Sequence, residues 1–340
     1  MESSRATAGS RRARRRTPRR RRRGGLLPVC LATVAVVGAT AAGTVYVKAR
    51  AGGDAVSSAA SPAPSSSASA ATSGEASVEP VTEPAVDRGA LLGSALAKVT
   101  VPSGAKVSAA VLDLDSGDSA ACGDSSFDTA SIVKVDILAT LLLQAQDAGR
   151  HLTATERAYA VKMIENSDNA SASRLWEAIG GAAGLDAANR RFGLTSTEGG
   201  DGALWGLTQT TAADQLTLLQ QVFGDGSRLS AASRAYVQGL MKTVEPDQRW
   251  GVSAAADGSR YALKNGWLAR STTGLWDVNS IGRVTVGGTD YLVAVLSKGT
   301  VSQARGISLV EGAAKAAVGS FAGADPSASA SASASASASR

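Results

Sequence analysis

Histidine, cysteine and aromatic residues are all scarce in this chain, and each scarcity removes a class of explanation. There is one histidine and there are two cysteines, and aromatics make up 4% of 340 residues. The cysteines are Cys30, inside an N-terminal apolar run, and Cys122. Beyond that run a single thiol cannot close an intramolecular disulfide, so a folded region there must rest on its core. One histidine and one cysteine also leave too few ligands for a His/Cys zinc site, and no metal or cofactor is implied. The lone His151 lies in the polar stretch "DAGRHLTATE", which reads as a surface connection between helices. A Ser-His-Asp triad is therefore poorly served.

The formal charge of +6 is misleading. Residues 1–24 carry eleven arginines and one glutamate, which leaves −4 for everything else. The basic balance thus describes a tail, and a nucleic-acid partner is not expected. Behind the tail, residues 26–47 run for 22 positions without a charge, long enough for a helix to cross a bilayer. Arginines before that run place the N-terminus in the cytoplasm and the rest outside, as a single-pass membrane anchor. A cleaved export signal leading to secretion is the alternative, because small residues follow the run, and paired arginines also admit twin-arginine export. Cys30 stands too early in the run to read as a lipid-anchored cysteine.

Five segments follow from composition: a basic cytoplasmic tail (1–24), a transmembrane anchor or signal (25–48), an Ala/Ser/Pro linker (49–86), a folded domain (87–323) and a Ser-Ala tail (324–340). Linker and tail are too poor in apolar residues to bury a core and are expected to be disordered. In the domain, patterning predicts a helix over 87–98, strands over 106–114 and 119–123, and helices over 131–148, 153–165, 170–179 and 211–223. A hairpin over 275–286 and 291–297 and a final helix over 303–321 complete it. Strands at both ends around a helical block predict an α+β fold: one antiparallel sheet covered by the terminal helices, plus an all-helical lobe.

Within "FDTASIVKVDILATLLLQAQ" (127–146) a lysine stands three residues after a serine, among apolar side chains on every side. On a helix, Ser131 and Lys134 share a face one turn apart. Burial lowers a lysine pKa toward a value at which the neutral amine accepts a proton, and a serine that gives up that proton becomes a nucleophile. Snorkelling of Lys134 from the helix end is the competing reading. A second S-x-x-K at Ser103–Lys106 follows a proline, leads into a strand and has no helical meaning.

Two further segments add to this pair. "SDN" places Ser167, Asp168 and Asn169 between two helical patterns, and "KNG" places Lys264, Asn265 and Gly266 where an apolar stretch ends, reading locally as a turn. In this order the three motifs resemble the S-x-x-K, S-D-N and K-T-G set of class A β-lactamases and related penicillin-recognising serine hydrolases, over roughly residues 87–323. The resemblance implies that Ser131 is acylated and that Lys134 helps deprotonate it. It implies that Ser167 relays a proton to the leaving nitrogen and that Lys264 supports Ser167 and attracts a substrate carboxylate. Asn169, Asn265, Gly266 and Trp267 would bind substrate, with the backbone N–H groups of Ser131 and Trp267 as an oxyanion hole.

Three departures qualify this. The third motif has Asn265 in place of a hydroxyl residue. The interval between Ser131 and Ser167 is short for the family, so one wall of the cleft is expected to be missing. The loop "GLTSTEGGDGALWGLTQTT" lacks the glutamate pattern that activates a deacylating water, and Glu198 in this Gly-rich, mobile stretch is the candidate base. Trp250, Trp267 and Trp276 read as core, Arg270 and Arg283 as solvated charge, and Cys122 as a small buried residue. The function expected is an exported, monomeric serine acyl-hydrolase acting on β-lactams or peptidoglycan-like peptide or ester carbonyls, with deacylation its weak half. A D-Ala-D-Ala peptidase-like or penicillin-binding cell-wall module, and a non-catalytic descendant, are the alternatives.

Overall fold

The computed structural model describes residues 86–323. The basic tail, the apolar segment 25–48, the linker up to residue 85 and the Ser-Ala tail lie outside the described residues. Among the described residues no helix is long and apolar enough to cross a membrane.

The chain starts with helix α1 (Arg88–Leu96), capped by the Asp87 side chain on Ala90 N. Strands β1 (Lys106–Asp113) and β2 (Ser119–Cys122) follow as a hairpin. After β3 (Phe127–Asp128) comes a helical block: α2 (Val133–Asp147), α3 (Ala154–Glu165), α4 (Asn169–Ile179) and α5 (Gly181–Phe192). A loop containing β4 (Gln209–Thr210) leads to α6 (Ala212–Phe223) and α7 (Ala231–Lys242). Strands β5 (Tyr261–Ala269), β6 (Trp276–Val286) and β7 (Thr289–Thr300) return to the sheet, and α8 (Gln303–Ala322) closes the domain.

The sheet is antiparallel with order β2-β1-β7-β6-β5. Side chains alternate across it, and both faces are buried. On β1 and β7, Ala109, Val111, Val293 and Val295 face one core, completed by α1 and α8 through Leu92, Val310, Ala314 and Phe321. Their neighbours Ala110, Leu112, Leu292, Ala294 and Leu296 face the other, built mainly by α2, α6 and the helical lobe. Helix α2 is apolar on all sides because it runs through the middle of that second core, where twelve of its fifteen residues are buried.

The α+β arrangement agrees with expectation, and three local readings are corrected. Lys264-Asn265-Gly266 is no turn but the middle of β5, paired with Ile281, Ser280 and Asn279 of β6. Helix α7 was not anticipated. The α-helix expected from residue 131 begins at Val133, after a tighter 3-10 turn over Ala130–Ile132.

Candidate active site

Ser131 sits in that 3-10 turn, and two devices fix its backbone. Asn279 of β6 donates from Nδ2 to the carbonyls of Asp128 (2.8 Å) and Thr129 (3.0 Å), tying the segment to the sheet. From the other side β5, the edge strand, comes in at Gly266. A Cβ at that position would lie 2.7 Å from Ser131 N and 2.8 Å from Ile132 N, so only glycine permits the approach. Ala130 takes φ +48°, a left-handed conformation uncommon for a residue with a Cβ. Such strain persists only where the surroundings impose it.

The α3–α4 junction supplies the facing wall. Asp168 caps α4 by accepting from Ser171 N at 2.7 Å, and Asn169 is the first residue of that helix. Between the helices Ser167 adopts φ +55°. That conformation turns both its hydroxyl and its carbonyl toward Lys134.

Lys134 is fully buried, and its Nζ is surrounded by oxygens: Ser131 Oγ at 2.9 Å, Ser167 O at 2.6 Å, Ser167 Oγ at 3.1 Å and Asn169 Oδ1 at 2.8 Å. Burial lowers its pKa to about 7, with the Asp168 carboxylate pulling the other way. An ammonium has three hydrogens and no lone pair, whereas the neutral amine at this position can accept the Ser131 proton. The snorkelling alternative does not hold, since the nitrogen is not in solvent. Lys264, also fully buried, donates to Ser167 Oγ at 2.9 Å and to the Asn265 carbonyl at 2.9 Å. Burial first, and the neighbouring Lys134 charge second, hold its pKa well below the usual lysine value. Ser167 Oγ thus lies between two amines.

Ser131, Lys134, Ser167, Asn169 and Lys264 are therefore brought into one hydrogen-bonded cluster, with Gly266 against it. Asn265 is not brought in. Its side chain is 1% exposed and donates to the carbonyls of Gln248 (2.7 Å) and Trp250 (3.0 Å). The strand alternation that points Lys264 toward Ser167 turns its neighbour away. Trp267 is part-buried, its ring 5.8 Å from that of Trp250, and with Trp250 and Trp276 it packs on the core shared with α8.

Glu198 is exposed, and its carboxylate is not among the hydrogen-bond partners of Ser131, Lys134, Ser167 or Lys264. Nor is its loop slack. Glu198 exchanges backbone hydrogen bonds with Gln209, Ser196 N and Thr197 Oγ1 donate to Asp214, and Gly199 N donates to Asp186. The loop residue that does reach the cluster is Trp205, whose ring centroid is 5.0 Å from Lys134 Nζ and whose Nε1 donates to Ser173 Oγ at 3.1 Å. Sequence reasoning missed it, although it is the one aromatic in a Gly-rich stretch. Arg270 and Arg283 are paired, with Asp128 and Asp290 respectively, and Cys122 is part-exposed. Among the described residues no group of three His, Cys, Asp or Glu side chains could hold a metal.

Residues 149–321, half of the chain, match the family described as Beta-lactamase enzyme family. Ser167 and Lys264 fall inside that stretch, and Ser131 and Lys134 just before it. The chain is also 29% identical over 173 residues to LppW, named as a lipoprotein, of Mycobacterium tuberculosis and Mycobacterium bovis. This covers 48% of the chain and 55% of LppW, so the chain spans about half the length of these curated relatives. Among solved structures it is similar to PBP-A (22% identity, TM-score 0.59, 68% of this chain and 96% of that one). It is likewise similar to a class A beta-lactamase representative from Bacteroides cellulosilyticus (15%, 0.58, 69% and 98%). At these identities the likeness speaks for the fold, a β-lactamase/transpeptidase-like one.

Proposed function

The chain belongs to the beta-lactamase enzyme family, and from that premise we propose that it is an exported serine acyl-hydrolase that forms an acyl ester on Ser131. The observation that carries this reading is the buried Lys134 Nζ, 2.9 Å from Ser131 Oγ. In the proposed cycle the neutral amine takes the hydroxyl proton as Oγ attacks a strained or peptide-like carbonyl. The oxygen that becomes negative is met by backbone N–H groups of Ser131 and of the β5 edge, which Gly266 brings close. When the C–N bond breaks, the leaving nitrogen receives the Ser167 proton, replaced from the amines on either side of that hydroxyl. Asn169 holds the substrate amide and Lys264 draws its carboxylate. Water then cleaves the ester and returns Ser131.

The last step is the slow one. Among the described residues no carboxylate is hydrogen-bonded to the cluster, and the loop residue that approaches Lys134 is the aromatic Trp205. This favours a penicillin-binding or D-Ala-D-Ala peptidase-like role at the cell wall as the second reading, with persistent acyl-enzyme in place of fast turnover. A β-lactam or a peptidoglycan-like peptide is the proposed substrate class. Export is supported by the arginine-led apolar segment and by the lipoprotein name of LppW.

Intact-mass analysis after exposure to penicillin separates these readings. A stable adduct on Ser131 supports the peptidase-like role, while rapid hydrolysis of a chromogenic cephalosporin without an adduct supports the β-lactamase role. Ser131→Ala should remove adduct and hydrolysis alike with little change in melting temperature. An adduct that survives the substitution, or neither signal in the unaltered protein, overturns the assignment.

A further inference from the structure

Two residues after Lys134, helix α2 buries a carboxyl group that the proposed chemistry does not use. Asp136 is 1% exposed, and its Oδ2 accepts from Asn189 Nδ2 of α5 at 3.0 Å. The other two oxygens of this pair, Asp136 Oδ1 and Asn189 Oδ1, are both buried and both without a partner. Each of these orphaned acceptors is costly, since it forgoes its hydrogen bond to water, and the Asn189 amide already sits against the same carboxyl group through Nδ2. One proton on Asp136 satisfies both at once. Turning the Asn189 amide over would set an oxygen against the carboxyl group and demand the same proton.

The surroundings agree. The charged groups that act on Asp136 are Asp186 of α5 and Asp214 of α6, both carboxylates, and no cation is among them. Thr140, one turn along α2, is the other polar neighbour; its hydroxyl approaches the carboxyl group and favours the anion, but lies outside hydrogen-bond geometry. Desolvation dominates and lifts the Asp136 pKa to about 7. Asp186 and Asp214 accept the backbone N–H groups of Gly199 and Ser196, respectively, and so hold the loop carrying Trp205.

We propose that Asp136 is a neutral acid whose Oδ1–H donates to Asn189 Oδ1 while Asn189 Nδ2 donates to its Oδ2. This two-bond clamp positions the Ser131 helix against α5 and the loop that follows. Asp136 is a positioning residue, since it touches neither Ser131 nor a substrate. The sign of its linkage is fixed. The folded chain keeps this proton where the unfolded chain has lost it, so the clamp weakens as pH rises from about 4 to about 7 and no further above.

Asp136→Asn is the decisive variant, because an amide makes the same two bonds without a titrating proton. Urea unfolding of the full chain from pH 4 to 8.5 would be compared for the unaltered protein, Asp136→Asn and Asp136→Ala. The folding equilibrium constant of the unaltered protein should fall relative to Asp136→Asn by about a hundredfold or more up to pH 7, then level off. A difference that does not vary with pH, or an Asn variant as weak as the Ala variant at pH 5, overturns the clamp. The positioning role, which rests on Ser131 being the nucleophile, is read from labelled-penicillin acylation. Asp136→Ala should acylate several-fold more slowly and Asp136→Asn should restore the rate, while a folded Ala variant reacting at the original rate overturns that role. If the unaltered protein takes no label, the proposed function fails and the unfolding comparison still decides the clamp.

Discussion

A single amine carries most of the argument at the scale of the residue. Lys134 is one turn from Ser131, surrounded by oxygens, and dry. Losing it should slow acylation at least ~100-fold, the usual worth of a general base. The Lys134→Ala rate measured with a fluorescent penicillin checks this, and an unchanged rate would remove the amine from the chemistry. The pH dependence has a definite sign. Only the neutral amine accepts a proton, so the acylation rate should climb through about pH 7 and then level, falling about tenfold for each unit below. A rate already level from pH 5 upward would mean that the amine is not the titrating base. The family pattern would suggest a carboxylate on the loop for the next step; here Glu198 is exposed, and the loop residue near Lys134 is Trp205.

At the scale of the element, the site is assembled by close approach between backbones. Strand β5 can lie against the 3-10 turn of Ser131 only because Gly266 has no side chain. Gly266→Ala forces backbone to move, since the atoms its Cβ would meet, Ser131 N, Ile132 N and Thr129 O, all belong to the main chain. Overpacking of this kind costs ~1–3 kcal/mol, and here it should also cut acylation sharply. Chemical denaturation and labelling measured together would test it. Full activity in the variant would show that the strand is not part of the reacting geometry. The same strand shows where the sequence stopped being legible. Lys, Asn and Gly in a row are locally a turn, and only pairing with β6, invisible to a local reading, makes them extended. Helix α7 was legible and overlooked: Ser230 caps it by accepting from Ser233 N, and Val237, Leu240 and Met241 form its buried face. The one-turn spacing of Ser131 and Lys134 and the helices near 153–165 and 170–179 were readable because such patterns are local. The Asp136–Asn189 pair and Trp205 were not, because each acquires its meaning from a partner far along the chain.

At the scale of the whole molecule, one sheet carries two cores, and the terminal helices meet on one of its faces. Arg88 of α1 sets its guanidinium 5.0 Å from the Phe321 ring of α8 and pairs with Asp118 at 2.9 Å. Among the described residues no covalent cross-link assists, since Cys122 is free. Melting curves with and without a reductant should coincide. A fall of several degrees on reduction would mean that Cys122 does find a partner.

The lone imidazole has a practical consequence. His151 is exposed, four residues past the end of α2, while Ser131 lies two residues before its start. A fifteen-residue helix separates them by about 22 Å. The protein therefore comes with a built-in beacon: one isolated ring signal in a proton spectrum, remote from the reacting groups and unobscured by any sibling. Whether the nucleophile helix shifts as a rigid rod when Ser131 is acylated could be heard from its far end, without attaching a label.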